Sequence, residues 1–224
     1  MTTPQFVRSL VVAAVTACLA AGATACGGGD DTQEPGERAS GDGAKSAGAL
    51  TSWSRACDGI FDAETTAVLR EGGKGDAVYE LPRDGGAKSG VADAGEKLRE
   101  GMDHRVPATP VCRLEDERGR RLLDISFEWD QAAFPPEAAE AGKSVTYEAQ
   151  EPLTFVLVDC RRPDLTDSGG TMRALRGIMD DRAGLNERAR VKALYASAAN
   201  VLATLDCRNE VNFPGPPKTV PGLT

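Results

Sequence analysis

Leu123-Asp124-Ile125-Ser126-Phe127-Glu128-Trp129 alternates apolar and polar residues without interruption. Successive side chains of a strand point to opposite faces, so this stretch puts Leu, Ile, Phe and Trp on one face and Asp, Ser and Glu on the other. It predicts a half-buried strand of an antiparallel sheet. Just upstream, Val111 to Asp116 is separated from it by Glu117-Arg118-Gly119-Arg120, a short connector with a glycine, and the two runs read as a hairpin. Downstream, Thr146 to Gln150 and Leu153 to Cys160 form a second pair across Glu151-Pro152. Within it, Thr154-Phe155-Val156-Leu157-Val158 is a continuous apolar run suited to a central strand.

Helices are needed to cover such a sheet. Asn186 is placed to cap a long one, in which Val191, Leu194, Tyr195, Ala198, Leu202 and Leu205 fall on one stripe while Arg188, Arg190 and Lys192 point elsewhere. A shorter helix is expected over Ala63 to Glu71, capped by Asp62 and stopped by Gly72-Gly73. Residues 72 to 110 are rich in Gly and charge, and only Ala92 to Glu100 suggests a helix there. The fold class read from these elements is α+β: an antiparallel sheet of two strand pairs, covered by a long C-terminal amphipathic helix and a short N-terminal helix.

The start of the chain is different in kind. Arg8 precedes an uncharged run from Ser9 to Ala25, and Ala23-Thr24-Ala25-Cys26 has the form of a lipobox, followed at once by Gly27-Gly28-Gly29-Asp30-Asp31. Val15-Thr16-Ala17-Cys18 is a second candidate, but Leu19-Ala20-Ala21 after it would make an apolar start for a mature chain. The run is Ala- and Gly-rich with no basic stop signal after it, which suits a removed signal better than a span of about 30 Å of hydrocarbon. The expected organisation is a signal peptide at 1–25, a flexible tether at 26–50 after lipidated Cys26, one disulfide-stapled domain at 51–212 and a Pro-rich tail at 213–224. A coil of that tether's length has a reach of about 25 to 30 Å. Two acyl chains on Cys26, at about 0.8 kcal/mol per buried CH₂, would give stable anchoring.

Beyond Cys18 and Cys26 the chain holds Cys57, Cys112, Cys160 and Cys207. An even set in an exported chain reads as two disulfides. There is no CxxC, and His104 is the single histidine, so neither a metal nor another cofactor is expected. Four cysteines allow three connectivities. Cys57 to Cys112 and Cys160 to Cys207 is preferred because each half then joins one helix cysteine to one strand cysteine, although spacing leaves the crossed pairings open.

This layout resembles the small, uncharacterised, cysteine-paired lipoproteins of actinobacteria. The likeness rests on Ala25-Cys26-Gly27, on Ala56-Cys57-Asp58-Gly59 before a helix, on Val111-Cys112-Arg113 opening a hairpin, and on Val158-Asp159-Cys160 followed by an Ala-rich helix ending at Cys207. It implies an extracytoplasmic location, disulfides and no enzymatic activity.

Charge and motif narrow the function further. The chain has a formal net charge of −8, and removing residues 1–25 takes away Arg8 and no acid, leaving −9. A protein of that sign, with no basic stripe, is not expected to bind nucleic acid. Asp167-Ser168-Gly169-Gly170, with His104 and Asp124 in the same chain order, echoes chymotrypsin-like proteases. The pattern departs at Thr166, where that family has Gly, and around His104, so the segment reads as a Gly-rich loop and His104 as a surface residue. Asp180-Asp181 and Glu115-Asp116-Glu117 lack calcium-loop spacing and read as solvated charge.

One constellation is particular to this chain. Asp159-Cys160-Arg161-Arg162 and Asp206-Cys207-Arg208 repeat Asp-Cys-Arg around the cysteines expected to join. Mutual ion pairing at the rim of the bridge is the simpler reading, and an anion site built from Arg forks the alternative. The expected function is a monomeric, lipid-anchored binding or interaction module at the outer face of the cell membrane. Its partners would be the membrane, through the acyl chains on Cys26, and an envelope protein. The alternative is an envelope serine hydrolase using Ser168 and His104. About 160 folded residues are too few for the two lobes of an importer's receptor.

Overall fold

The computed structural model describes residues 48–82, 91–100, 108–130, 132–162 and 173–217. In chain order the elements are β1 (Ala49–Ser52), α1 (Ala63–Glu71), β2 (Ala77–Glu80), α2 (Val91–Glu100), β3 (Thr109–Glu115), β4 (Arg121–Trp129), α3 (Pro136–Glu140), β5 (Val145–Gln150), β6 (Leu153–Val158), β7 (Leu175–Asp181) and α4 (Glu187–Leu202). The strands form one sheet in the order β1-β2-β3-β4-β7-β6-β5, and every neighbouring pair is antiparallel.

The class is α+β, but among the described residues the sheet has seven strands and not two pairs. The two hairpins are present as β3–β4 and β5–β6, and β7 lies between them. β7 escapes sequence reading because Leu-Arg-Gly-Ile-Met-Asp-Asp has a glycine at one inward position, an aspartate at another and an isoleucine on the outward face. β1 and β2, of four residues each, are too short to show a period. β1 also begins inside the stretch read as tether, since Ala49 and Leu50 pair with Glu80 and Tyr79.

Register separates two faces. Leu123, Ile125, Phe127 and Trp129 of β4 oppose Asp181, Met179, Gly177 and Leu175 of β7 on the face covered by helices. Val156 and Val158 of β6 continue that face. α4 packs on β5, β6 and β7, while α2 packs on β3, β4 and α4. The other face carries Asp124, Ser126, Glu128, Arg176, Ile178 and Phe155. Trp129 is only half-buried, with its indole N–H donating to the Leu98 carbonyl of α2 at 2.8 Å.

The helix caps are as the residues dictate. Asp62 accepts from the Thr65 N–H at 2.8 Å and Asn186 from the Ala189 N–H at 2.9 Å, each satisfying a donor that has no partner inside its helix. α4 is more deeply enclosed than an amphipathic surface helix. Arg190, expected to point outward, is 4 % exposed and donates to the Leu185 carbonyl at 3.2 Å and to Glu151 at 3.3 Å. A helix wedged between sheet, α1 and α2 has little outward face, and the charge is tolerated because it finds acceptors.

Two glycines permit the close packing. A Cβ on Gly177 would lie 2.6 Å from Phe127 Cε1 and 2.7 Å from Val156 Cγ1, so the Phe127 ring crosses the space a side chain would fill. In α2 a Cβ on Gly95 would sit 1.6 Å from Thr204 Oγ1, a hydroxyl already donating to the Val201 carbonyl. Gly177→Ala and Gly95→Ala are each expected to destabilise by about 1 to 3 kcal/mol through overpacking. The second is informative because Ala normally stabilises a helix interior by about 1 kcal/mol. Urea denaturation checks both, and a stabilised Gly95→Ala would contradict the packing of α2 on the end of α4.

Candidate functional site

Two disulfides frame the molecule. Cys160 is joined to Cys207 with Cα atoms 5.2 Å apart, and Cys57 to Cys112 with Cα atoms 5.3 Å apart. At the rim of the first bridge, Arg161 pairs with Asp159 at 2.9 Å, and that carboxylate pushes the guanidinium pKa up. The Arg208 N–H donates to the Arg161 carbonyl at 3.0 Å. Asn209, which was not among the sequence candidates, bridges the same residues: its Oδ1 accepts from the Arg161 N–H at 2.7 Å and its amide donates to the Asp159 carbonyl at 2.6 Å. Arg162 is buried. Among the described residues no ion pair involves Asp206 or Arg208, and within the doubled Asp-Cys-Arg, Asp159 pairs with its own neighbour Arg161 on the exposed rim.

The other bridge sits on a distorted backbone. Cys57, Asp58 and Gly59 have φ of 53°, 61° and 76°, three left-handed residues in succession, of which only glycine adopts this geometry without cost. The turn is held from three sides. Cys57 is bonded to Cys112, its N–H donates to Glu80 at 3.1 Å, and the Asp58 carboxylate accepts from the Val91 N–H at the start of α2 at 3.2 Å. Asp58-Gly59 was the available signal, since this dipeptide favours positive φ.

Of the acidic pairs, Asp181 is not solvated. It is 4 % exposed, and its two oxygens accept from the N–H groups of Ala183, Gly184 and Leu185 at 2.8, 3.2 and 2.8 Å. Burial pushes its pKa up, against those three donors and the nearby Arg190. Asp180 pairs with Arg182 at 3.1 Å. Asp116 closes the β3–β4 turn, accepting from the N–H groups of Arg118 and Arg120, both at 2.9 Å.

On the uncovered face of the sheet a groove of 490 Å³ lies over β5, β6 and β7. Its floor is Phe155 and Leu157, with the Arg176 guanidinium 4.8 Å above the Phe155 ring. Arg176 also faces Glu128 at 3.6 Å and Asp130 at 4.0 Å, which fixes it in place and leaves it little positive field for an anion.

The C-terminal tail turns back over the domain. The Ser144 hydroxyl accepts from the Asn212 N–H at 2.7 Å and donates to the Asn212 carbonyl at 3.1 Å. Phe213 packs on Tyr195 with ring centroids 5.3 Å apart, and Tyr195 meets Tyr147 at 6.3 Å. Burial pushes the Tyr195 hydroxyl up to about 12. Farther on, Arg188 donates to the Pro217 carbonyl at 2.8 Å and to Glu64 at 3.1 Å.

Cys26, His104 and Ser168 lie outside the described residues. Among the described residues no three potential metal ligands cluster, and no helix is long and apolar enough to cross a membrane. No family model, curated protein or solved structure matches the chain.

Proposed function

We propose that the mature chain is a lipid-anchored extracytoplasmic binding or interaction module of the bacterial cell envelope, akin to the cysteine-paired lipoproteins it resembles. The observation that carries this reading is the use of all four domain cysteines in two disulfides. Such bonds persist in oxidising compartments, which agrees with reading residues 1–25 as an export signal. They also leave Cys26 as the one mature cysteine outside a bridge, at the position the lipobox marks for acylation.

Mass spectrometry of the mature N-terminus tests the anchor. The expected terminus is Cys26 carrying a diacylglyceryl group, with the chain in the membrane fraction and Cys26→Ala released from it. An unmodified Cys26 or Gly27 terminus refutes the anchor. Labelling by a fluorophosphonate that disappears in Ser168→Ala would replace the interaction reading with the hydrolase.

A further inference from the structure

Residues 211–217 are held as a ligand would be held, and the way they are held specifies what else would fit. Two grips act on the main chain alone: Ser144 engages both the N–H and the carbonyl of Asn212, and Arg188 engages the carbonyl of Pro217. Neither reads a side chain. The side-chain anchor is Phe213, half-buried against Tyr195. Asn212, Pro214 and Gly215 are exposed.

The spacing suits an extended Pro-rich segment. From Phe213 to Pro217 four residues at about 3.1 Å each span about 12 Å. From Tyr195 back to Arg188, seven residues of α4 at about 1.5 Å each span about 10 Å. The tail therefore runs against the direction of α4, with one anchor on Tyr195 and one hydrogen bond near the helix start. Main-chain grips at both ends and one aromatic anchor between them are the elements by which grooves recognise extended, proline-containing peptides.

We propose that the track formed by Ser144, Tyr147, Tyr195 and Arg188 is a peptide-binding groove for extended segments in which an aromatic residue directly precedes proline, and that the chain's own Asn212-Phe213-Pro214 strap is its resident occupant. A partner bearing such a segment binds by displacing the strap. A proline-rich segment carries little conformational freedom to lose on docking, and the resident strap sets a threshold that only a matching segment exceeds. This deepens the interaction-module reading without requiring the lipid anchor, because binding is measured apart from acylation.

The test uses the full chain in detergent and a fluorescent peptide, Val-Asn-Phe-Pro-Gly-Pro-Pro, copied from residues 211–217, followed by fluorescence anisotropy. Phe213→Ala in the chain frees the groove and is expected to bind the peptide at least tenfold more tightly than the wild type. Phe213→Leu, which keeps apolar cover on Tyr195, is expected to fall between them. Adding Ser144→Ala to Phe213→Ala abolishes the gain, and a peptide with Ala in place of Phe does not bind. Equal binding by wild type and Phe213→Ala, or none by either, overturns the proposal. So does failure of both Phe213 variants to fold, since the strap would then be part of the core.

Discussion

Removing the Cys160–Cys207 bridge with Cys160→Ala and Cys207→Ala is expected to destabilise the domain by about 4 kcal/mol, and removing Cys57–Cys112 by distinctly less. The sequence separations are 47 and 55 residues. The chain-entropy model assigns about 4 kcal/mol to each, with the longer loop slightly ahead. The native backbones reverse that order. Cys57 and Asp58 occupy left-handed geometry that costs about 1 to 2 kcal/mol per residue, and the bridge is one of the constraints that hold it. When that bridge is removed, relaxation of the turn returns part of the loss, leaving a net of about 2 kcal/mol. Urea melts of the two double variants decide the matter. An equal or larger loss at Cys57–Cys112 would show that Glu80 and Asp58 alone hold the turn. With typical domains stable by about 5 to 15 kcal/mol, loss of both bridges brings this one near its unfolding threshold.

Asp181→Ala is expected to cost about 3 kcal/mol at neutral pH. The carboxylate is the shared acceptor for three backbone N–H groups between β7 and α4, and each donor left buried without a partner costs about 1 to 3 kcal/mol. The penalty of burying the charge offsets part of this, which keeps the net below the sum. Asp181→Asn retains one oxygen but turns an amide N–H₂ toward a backbone donor, so it is expected to lose about 2 kcal/mol.

The pH dependence has a definite sign. Because burial raises the folded pKa of Asp181 above its ordinary 3.8, the native state holds the proton more tightly than the unfolded chain does. Its titration contributes stability that is fully present below 3.8 and is lost as pH rises through the folded pKa. The advantage of wild type over Asp181→Asn should thus be larger at pH 3 than at pH 7. Melts at the two pH values check this, and an advantage that grows with pH would mean the three N–H groups and Arg190 outweigh burial.

Legibility followed the strength of local patterning. Leu123 to Trp129 shows its strand because every inward position is apolar, and Asn186 and Asp62 show their helices because a cap and a periodic run coincide. β7 has the same alternation of burial, but Gly177 and Asp181 occupy inward positions for tertiary reasons: one makes room for Phe127 and the other caps the next turn. Neither reason exists until the neighbouring strands are in place. The strap was invisible for a similar reason. Residues 213–224 read as an extended tail, but that reading alone does not indicate that Ser144 receives Asn212 or that Tyr195 receives Phe213.

The position of β7 also bears on how the chain reaches its fold as it emerges. A polypeptide that emerges N-terminus first delivers both hairpins before it delivers Leu175–Asp181. During that interval the inner edges of β4 and β6 have no partner, and the apolar run from Thr154 to Val158 is an open template for other strands. The sheet closes only when the last strand arrives, pairing Leu123 with Asp181 and Leu153 with Asp180. The Cys160–Cys207 loop encloses that strand together with α4. Cys207 follows that strand in the chain, so this pair can close only after Leu175–Asp181 has been delivered.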